Sequence, residues 1–349
     1  MMRRKEGMLR VMGVIIGLCM TTSLFTFFEA NAADVAQKWN VQSIFPAGES
    51  LYKEFVNFTE KVKVMTNNRL VITPHPVGAV VGYKEMFDSL KSGVLQGYYS
   101  AGAFQSGKEP AFSAFCDLPG GYDNVMQIDA WYYQKGGLKL LRDIHAKFGN
   151  YAVGTIFYGR EVMPSKVPIR SLADLKGKKI RAPEGIVAKL ITKLGASTVP
   201  LPGSEVFSAL DKGVVDLTDW GTRSMNLNMG FYDACKYSLE PGFHSMSALE
   251  FVVSTKAWNA LPKDIQGILD AATREWSWNT VTRVMKEDAE AGAKLKTLGV
   301  EITPLPESDY QKIRIIARDL WYEWGKMSPA SQTVVDSQVA WLKELGLLK

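Results

Sequence analysis

Arg181 stands at the end of a short strand-like stretch, Lys179-Ile180-Arg181, and Pro183 stiffens the backbone just beyond it. A guanidinium is a rigid fork that matches a carboxylate with two parallel hydrogen bonds. In a crevice it would fix an organic acid. On the surface it would merely end the basic turn Lys176, Lys178, Lys179, Arg181. A second cluster is Asp216-Leu217-Thr218-Asp219-Trp220-Gly221. A carboxylate with nearby backbone carbonyls suits a hard cation, and Trp220 offers an apolar, stackable wall. The alternative is a strand-end turn with solvated aspartates. The residues alone leave both choices open.

Catalytic templates fail in turn. There is no G-x-S-x-G, H-E-x-x-H, C-x-x-C or G-x-G-x-x-G. Residues 102–108 fit G-x-x-x-x-G-K. Glu109 then stands where Ser or Thr would hold Mg²⁺, and Pro110 follows where a helix should continue. His75, His145 and His244 are scattered, so an enzyme would need a nucleophile and base assembled from distant residues. The chain has 349 residues, 46% hydrophobic and 22% charged, with 41 Lys+Arg against 36 Asp+Glu and a net charge of +5. Those values exclude disorder and fibrous classes, and the weak, dispersed charge gives no basis for nucleic-acid binding.

The elements that must position these residues read as alternating strands and helices. Residues 39–44 alternate as a strand. Leu51, Phe55, Phe58, Val62 and Met65 mark an amphipathic helix, and residues 70–72 form the next strand. Residues 83–92 form a second helix and 94–99 a third strand. A second unit begins near residue 152, with strands at 152–158, 179–181, 198–201 and 214–218 and helices at about 185–194 and 204–212. Ser171 and Asp174 suggest a capping box. Two such units predict two lobes with parallel sheets, and strand ends at Tyr99, Arg181 and Asp219 facing a crevice. Pro262 and Lys263 open a helix of roughly 35 residues and about 50 Å, long enough to cross both lobes. Two further helical stretches follow, residues 308–324 and one ending at Leu348.

The N-terminus reads as an address. Arg3, Arg4, Lys5 and Arg10 precede an uncharged apolar run over residues 11–28, then Ala30-Asn31-Ala32. That is the pattern of a cleaved signal peptide, residues 1–32. Its removal leaves 317 residues at +3, with Cys116 and Cys235 either paired or separate thiols.

Taken in order, the segments resemble the solute-binding proteins of tripartite ATP-independent periplasmic (TRAP) transporters, the DctP family. Residues 78–82, 91–97, 107–112, 118–121 and 130–138 form a distinctive series. The stretch Leu172-Ala173-Asp174-Leu175-Lys176-Gly177-Lys178-Lys179-Ile180-Arg181-Ala182-Pro183 is the most specific, and residues 195–197 and 209–216 complete the match.

The resemblance implies an α/β periplasmic-binding-protein-like fold, a two-lobe Venus flytrap with a long helix spanning both lobes. Lobe I would be residues 33–157 plus about 248–285. Lobe II would be 158–247 plus about 286–349. It implies a periplasmic receptor, not an enzyme, that delivers a carboxylate-bearing solute to small and large membrane subunits of a permease. The pattern is similar to members binding 2-oxo acids or other monocarboxylates. The alternatives are an extracytoplasmic hydrolase and a ligand-sensing module on the same fold. Arg181 matches the family's ligand-binding arginine, and Asp219-Trp220 its acidic and aromatic pair. Arg160, Tyr99 and Phe243 join the expected ligand site, with Tyr98 another aromatic wall. No cofactor is required. A Na⁺ or Ca²⁺ bridging the ligand would use Asp219, Glu161 and Glu250, although Glu is usual where Asp219 stands, and Arg223 follows where Gly-Pro is usual. A homodimer through the apolar stretch of residues 313–324 is a further expectation; packing within the chain is the other.

Overall fold

The computed structural model describes residues 36–244 and 246–348, so the leader and its cleavage signal fall outside it. Alternation puts Trp39 and Val41 in the core from β1 (Gln37–Ser43). β1 pairs in parallel with β2 (Leu70–His75) and with β3 (Gly97–Ala101). Between β1 and β2, the helix Ser50–Met65 buries Leu51, Phe55, Phe58 and Val62, the spacing its sequence predicts. β4 (Asn150–Phe157) lies at the far edge. β10 (Ala248–Ser254) sits between β3 and β4, antiparallel to both, giving the order β2-β1-β3-β10-β4. The sheet is thus mixed where a parallel one was expected, because β10 arrives from the other half of the molecule and runs the opposite way.

The second sheet has β5 (Met163–Ser165), β6 (Lys179–Arg181), β7 (Ser197–Val199), β8 (Leu217–Thr218), β9 (Tyr237–Leu239) and β11 (Glu301–Ile302). Their order is β11-β9-β5-β8-β6-β7. β6 is parallel to β7 and β8, and β5 is antiparallel to β8 and β9. Ser171 and Asp174 form the expected capping box, on the short turn Leu172–Leu175.

One 35-residue helix, Lys263–Thr297, packs on β4 in the first half and on the helix Arg223–Asn228 in the second. On the first, Trp276 stacks on Phe58 at 4.5 Å between ring centroids, and a Cβ on Gly154 of β4 would come within 2.9 Å of Thr273 Cγ2. Glycine is what lets strand and helix approach so closely. On the second, Asp288 accepts hydrogen bonds from Thr222 Oγ1 at 2.7 Å and Ser224 N at 2.8 Å. Among the described residues, no helix is long and apolar enough to cross a membrane.

The tail departs from the expected division. Glu307–Gly325 packs on the helix Ile186–Lys193, but Pro329–Glu344 packs on Ala111–Cys116 and Gly137–Ala146 under the first sheet. The apolar stretch considered for a dimer is used within the chain. Ile313, Leu320, Trp321 and Trp324 are buried, and the two indoles donate to the carbonyls of Pro119 (3.2 Å) and Pro110 (2.8 Å). Cys116 and Cys235 are both buried and free, with burial pushing each thiol up to about 12.

Candidate solute-binding site

β6 and β8 run side by side with Arg181 opposite Thr218, so Arg181 and Asp219 emerge together at the carboxyl ends of the strands. Asp219 N donates to Arg181 O at 2.8 Å, fixing that register. The Arg181 side chain is 2% exposed. Its Nε and Nη2 donate to Leu201 O at 3.0 and 2.9 Å, and Nη1 donates to Asp219 O. A guanidinium has five N–H groups, so two remain unspent. Its Cζ lies 4.9 Å from the Trp220 ring centre, within cation–π range. Burial pulls the Arg181 pKa down, and the Asp219 charge opposes this.

Trp220 closes against the other half of the molecule, meeting Phe45 edge-on at 6.1 Å. It fits because residue 203 is glycine, where a Cβ would lie 2.0 Å from the indole. The indole Nε1 is buried with no hydrogen-bond partner. Arg181, Trp220, Asp219, Glu161, His244 and Phe45 are among the walls of a cavity of about 40 Å³. Elsewhere between the halves, Ile186 N donates to Ser113 Oγ at 2.9 Å and Lys84 pairs with Glu184 at 2.7 Å.

Sequence reasoning missed the hub of the site. His244 Nε2 lies 3.0 Å from Asp219 Oδ2, and its Nδ1 lies 3.1 Å from Asp117 Oδ2. Ser247 Oγ is 3.0 Å from Nδ1 and donates to Glu161 Oε1 at 2.9 Å; the Tyr158 hydroxyl donates to the same oxygen. Burial pushes Glu161 up to about 7, with His244 opposing. Burial would also raise Asp219, but the His244 charge holds it below the usual carboxylate range. For His244, burial favours the neutral ring, yet the Asp219 and Glu161 charges outweigh it and hold the imidazole well above its ordinary value. The only sequence signal for His244 was its place beside Phe243, in a segment crossing between the sheets.

Ser247, His244 and Asp219 superficially form a triad. A general base needs an unprotonated ring nitrogen facing the nucleophile. Here Nδ1 also faces Asp117, and Ser247 gives its hydrogen bond to Glu161, so the imidazole does not take the Ser247 proton.

The other expected site residues part company with Arg181. Arg160 and Phe243 line a second cavity of about 220 Å³, which shares only the His244 wall with the first. Arg160 Nη2 donates to the carbonyls of Tyr122 (3.2 Å) and Asp123 (3.4 Å). Tyr99 is packed among Phe55, Phe45 and Trp276 and does not reach the cavity, and Tyr98 is likewise core. Glu250 is not beside Asp219 and Glu161. Leu249 faces the cavity, so alternation along β10 turns Glu250 away, where its carboxylate lies 2.7 Å from His145 Nε2. Among the described residues, the one group with metal-ligand spacing is Glu161, Asp219 and His244.

Comparison with known proteins agrees with this architecture. The sequence model of the bacterial extracellular solute-binding proteins, family 7 (DctP), matches residues 41–326. A monocarboxylate 2-oxoacid-binding periplasmic protein of Nostoc is 28% identical, covering 93% of this chain and 91% of that one. A TRAP periplasmic solute-binding protein of Colwellia psychrerythraea, solved with calcium and pyruvate, is 26% identical with a TM-score of 0.82, covering 89% of this chain and 96% of that one. Another, from Pseudoalteromonas atlantica with sodium and pyruvate, is 25% identical with a TM-score of 0.83, covering 89% and 95%. Two α/β halves, a shared long helix and a match over most of the chain lead to one conclusion: this protein belongs to the DctP family of extracellular solute-binding proteins, receptors for TRAP transporters rather than enzymes.

Proposed function

We propose that this chain captures a small monocarboxylate, a 2-oxo acid such as pyruvate, and delivers it to a permease made of a small and a large membrane subunit. Arg181 carries the reading: a buried guanidinium with two unspent N–H groups bordering a small cavity. A carboxylate satisfies such a fork, and the buried Trp220 Nε1 offers one more donor for an oxo oxygen. A volume of about 40 Å³ has room for on the order of three waters, which favours an acid of a few heavy atoms over a sugar acid. The relatives solved with pyruvate support the same class.

The lobes are residues 33–157 with about 248–285, and 158–247 with about 286–349, the Pro329–Glu344 helix joining the first through its packing on Ala111–Cys116. They close over the solute by hinge motion. The signal peptide is removed after Ala32 and the receptor works in the periplasm; the mass of protein from a periplasmic fraction, starting at Ala33, checks this.

Isothermal titration with pyruvate and longer 2-oxo acids tests the ligand class. Arg181→Ala should lower affinity at least a hundredfold with an unchanged far-UV spectrum, because the solute carboxylate stays buried and unpaired. Unchanged affinity would remove Arg181 from the site.

A further inference from the structure

The cavity beside Arg160 is the larger of the two, about 220 Å³ against about 40 Å³. Its walls come from four separate parts of the chain. Tyr122 stands in the loop before the helix Val125–Gln134, Arg160 in the segment between β4 and β5, and Phe243 in the segment between β9 and β10. Tyr310, Ile313 and Arg314 come from the helix Glu307–Gly325. Arg160 is partly buried there, and among the described residues it meets no carboxylate. Its Nη2 is spent on the carbonyls of Tyr122 and Asp123, at 3.2 and 3.4 Å, which leaves Nε–H and the Nη1 hydrogens free. Its charge therefore lacks a counterion. Arg314 differs, because Asp123 Oδ1 balances it from 3.2 Å. Glu307 is the one carboxylate on the walls; it is exposed and takes a hydrogen bond from Gln311 at 2.6 Å.

The remaining wall is apolar and firmly held. Phe243 and Ile313 are buried, and the Tyr310 hydroxyl donates to Pro241 O at 3.2 Å, which fixes its ring. One uncompensated guanidinium facing aromatic and aliphatic walls suits an anion with an apolar body. The volume has room for on the order of fifteen waters, enough for a six-membered ring that the first cavity cannot admit. We propose that this cavity is a second ligand site, and that it takes an aromatic carboxylate. Arg160 holds the carboxylate, and Phe243, Tyr310 and Ile313 cover the ring. The site takes its ligand whatever the first cavity holds, and an occupant bridges both segments that cross between the halves.

The experiment is calorimetric titration of benzoate into the full mature chain, with benzamide as its uncharged match. Benzoate should bind at one molecule per chain, and benzamide at least tenfold more weakly. Arg160→Gln keeps a donor for the two carbonyls but not the charge, and should weaken benzoate at least tenfold. Circular dichroism and thermal melting establish that the variant is folded. A crystal of the wild-type chain grown with para-bromobenzoate locates the ligand independently of any variant, and the anomalous signal of its bromine should lie among Phe243, Tyr310 and Ile313. No binding at millimolar benzoate, equal binding of benzamide, full affinity in the folded variant, or a bromine beside Arg181 overturns the proposal.

Discussion

Among the described residues, two buried histidine–carboxylate groupings stand out, and one of them borders a cavity. His145 and Glu250 sit 2.7 Å apart in the first half, with Phe112 and Phe87 rings 4.5 and 6.1 Å from the imidazole. Among the described residues, His145 has one carboxylate partner, and its Nδ1 has no hydrogen-bond partner. His244 has carboxylates on both nitrogens and forms a wall of two cavities. Both groupings lie fully inside the fold, so burial cannot tell them apart. What separates them is the neighbouring volume. Around His145 aromatic rings fill it, and the pair can only hold the core together. Around His244 the volume is open to a solute, and the same chemistry becomes recognition.

Mutation should split the two groupings along that line. His145→Ala leaves the Glu250 carboxylate buried without its partner and opens a hole among the rings. It should cost about 3–5 kcal/mol of stability in denaturant unfolding while leaving pyruvate affinity unchanged. A large loss of affinity at preserved stability would make the two groupings one site.

Glu49 sharpens the contrast from a third place. Its carboxylate caps the Ser50–Met65 helix through Leu51 N at 2.6 Å, and burial pushes it up to about 7 from an ordinary 4.5. Between those values the folded chain holds one proton more than the unfolded chain, so this group makes stability fall as pH rises from about 4.5 to about 7. Glu49→Gln should remove that fall. Unfolding at pH 5 and pH 8 should show the variant gaining on the order of 3 kcal/mol relative to wild type across the interval. Parallel curves would contradict it.

The smallest effect is expected at Arg160. It lines the larger cavity and donates to backbone carbonyls, away from Arg181, so Arg160→Ala should change pyruvate affinity less than twofold. A tenfold loss by titration would merge the two cavities into one binding site.

Where secondary structure positions a residue, the sequence was readable. Lys179-Ile180-Arg181 and Thr218-Asp219 are strand ends, and adjacent parallel strands bring such ends together. The long helix was announced by Pro262 and Lys263. His244 was hidden because it lies in an irregular crossing segment, and its partner Asp117 is 127 residues away. Glu250 and Tyr99 misled for another reason. β10 and β3 are buried on both faces, so hydrophobicity carries no sign of which face meets the cleft. The helix Ala111–Cys116 went unread because all six of its residues are buried and it has no polar face to create a period.

The long helix grips both of its neighbours. Toward the first sheet it is locked by stacked rings and by the Gly154 contact, surfaces that separate only at the cost of core packing. Toward the second it packs on the helix Arg223–Asn228, with Asp288 bonded to Thr222 and Ser224, and its later turns bury Val284, Ala291 and Leu295. The helix is therefore anchored by buried packing at both ends and ties the two halves into one body.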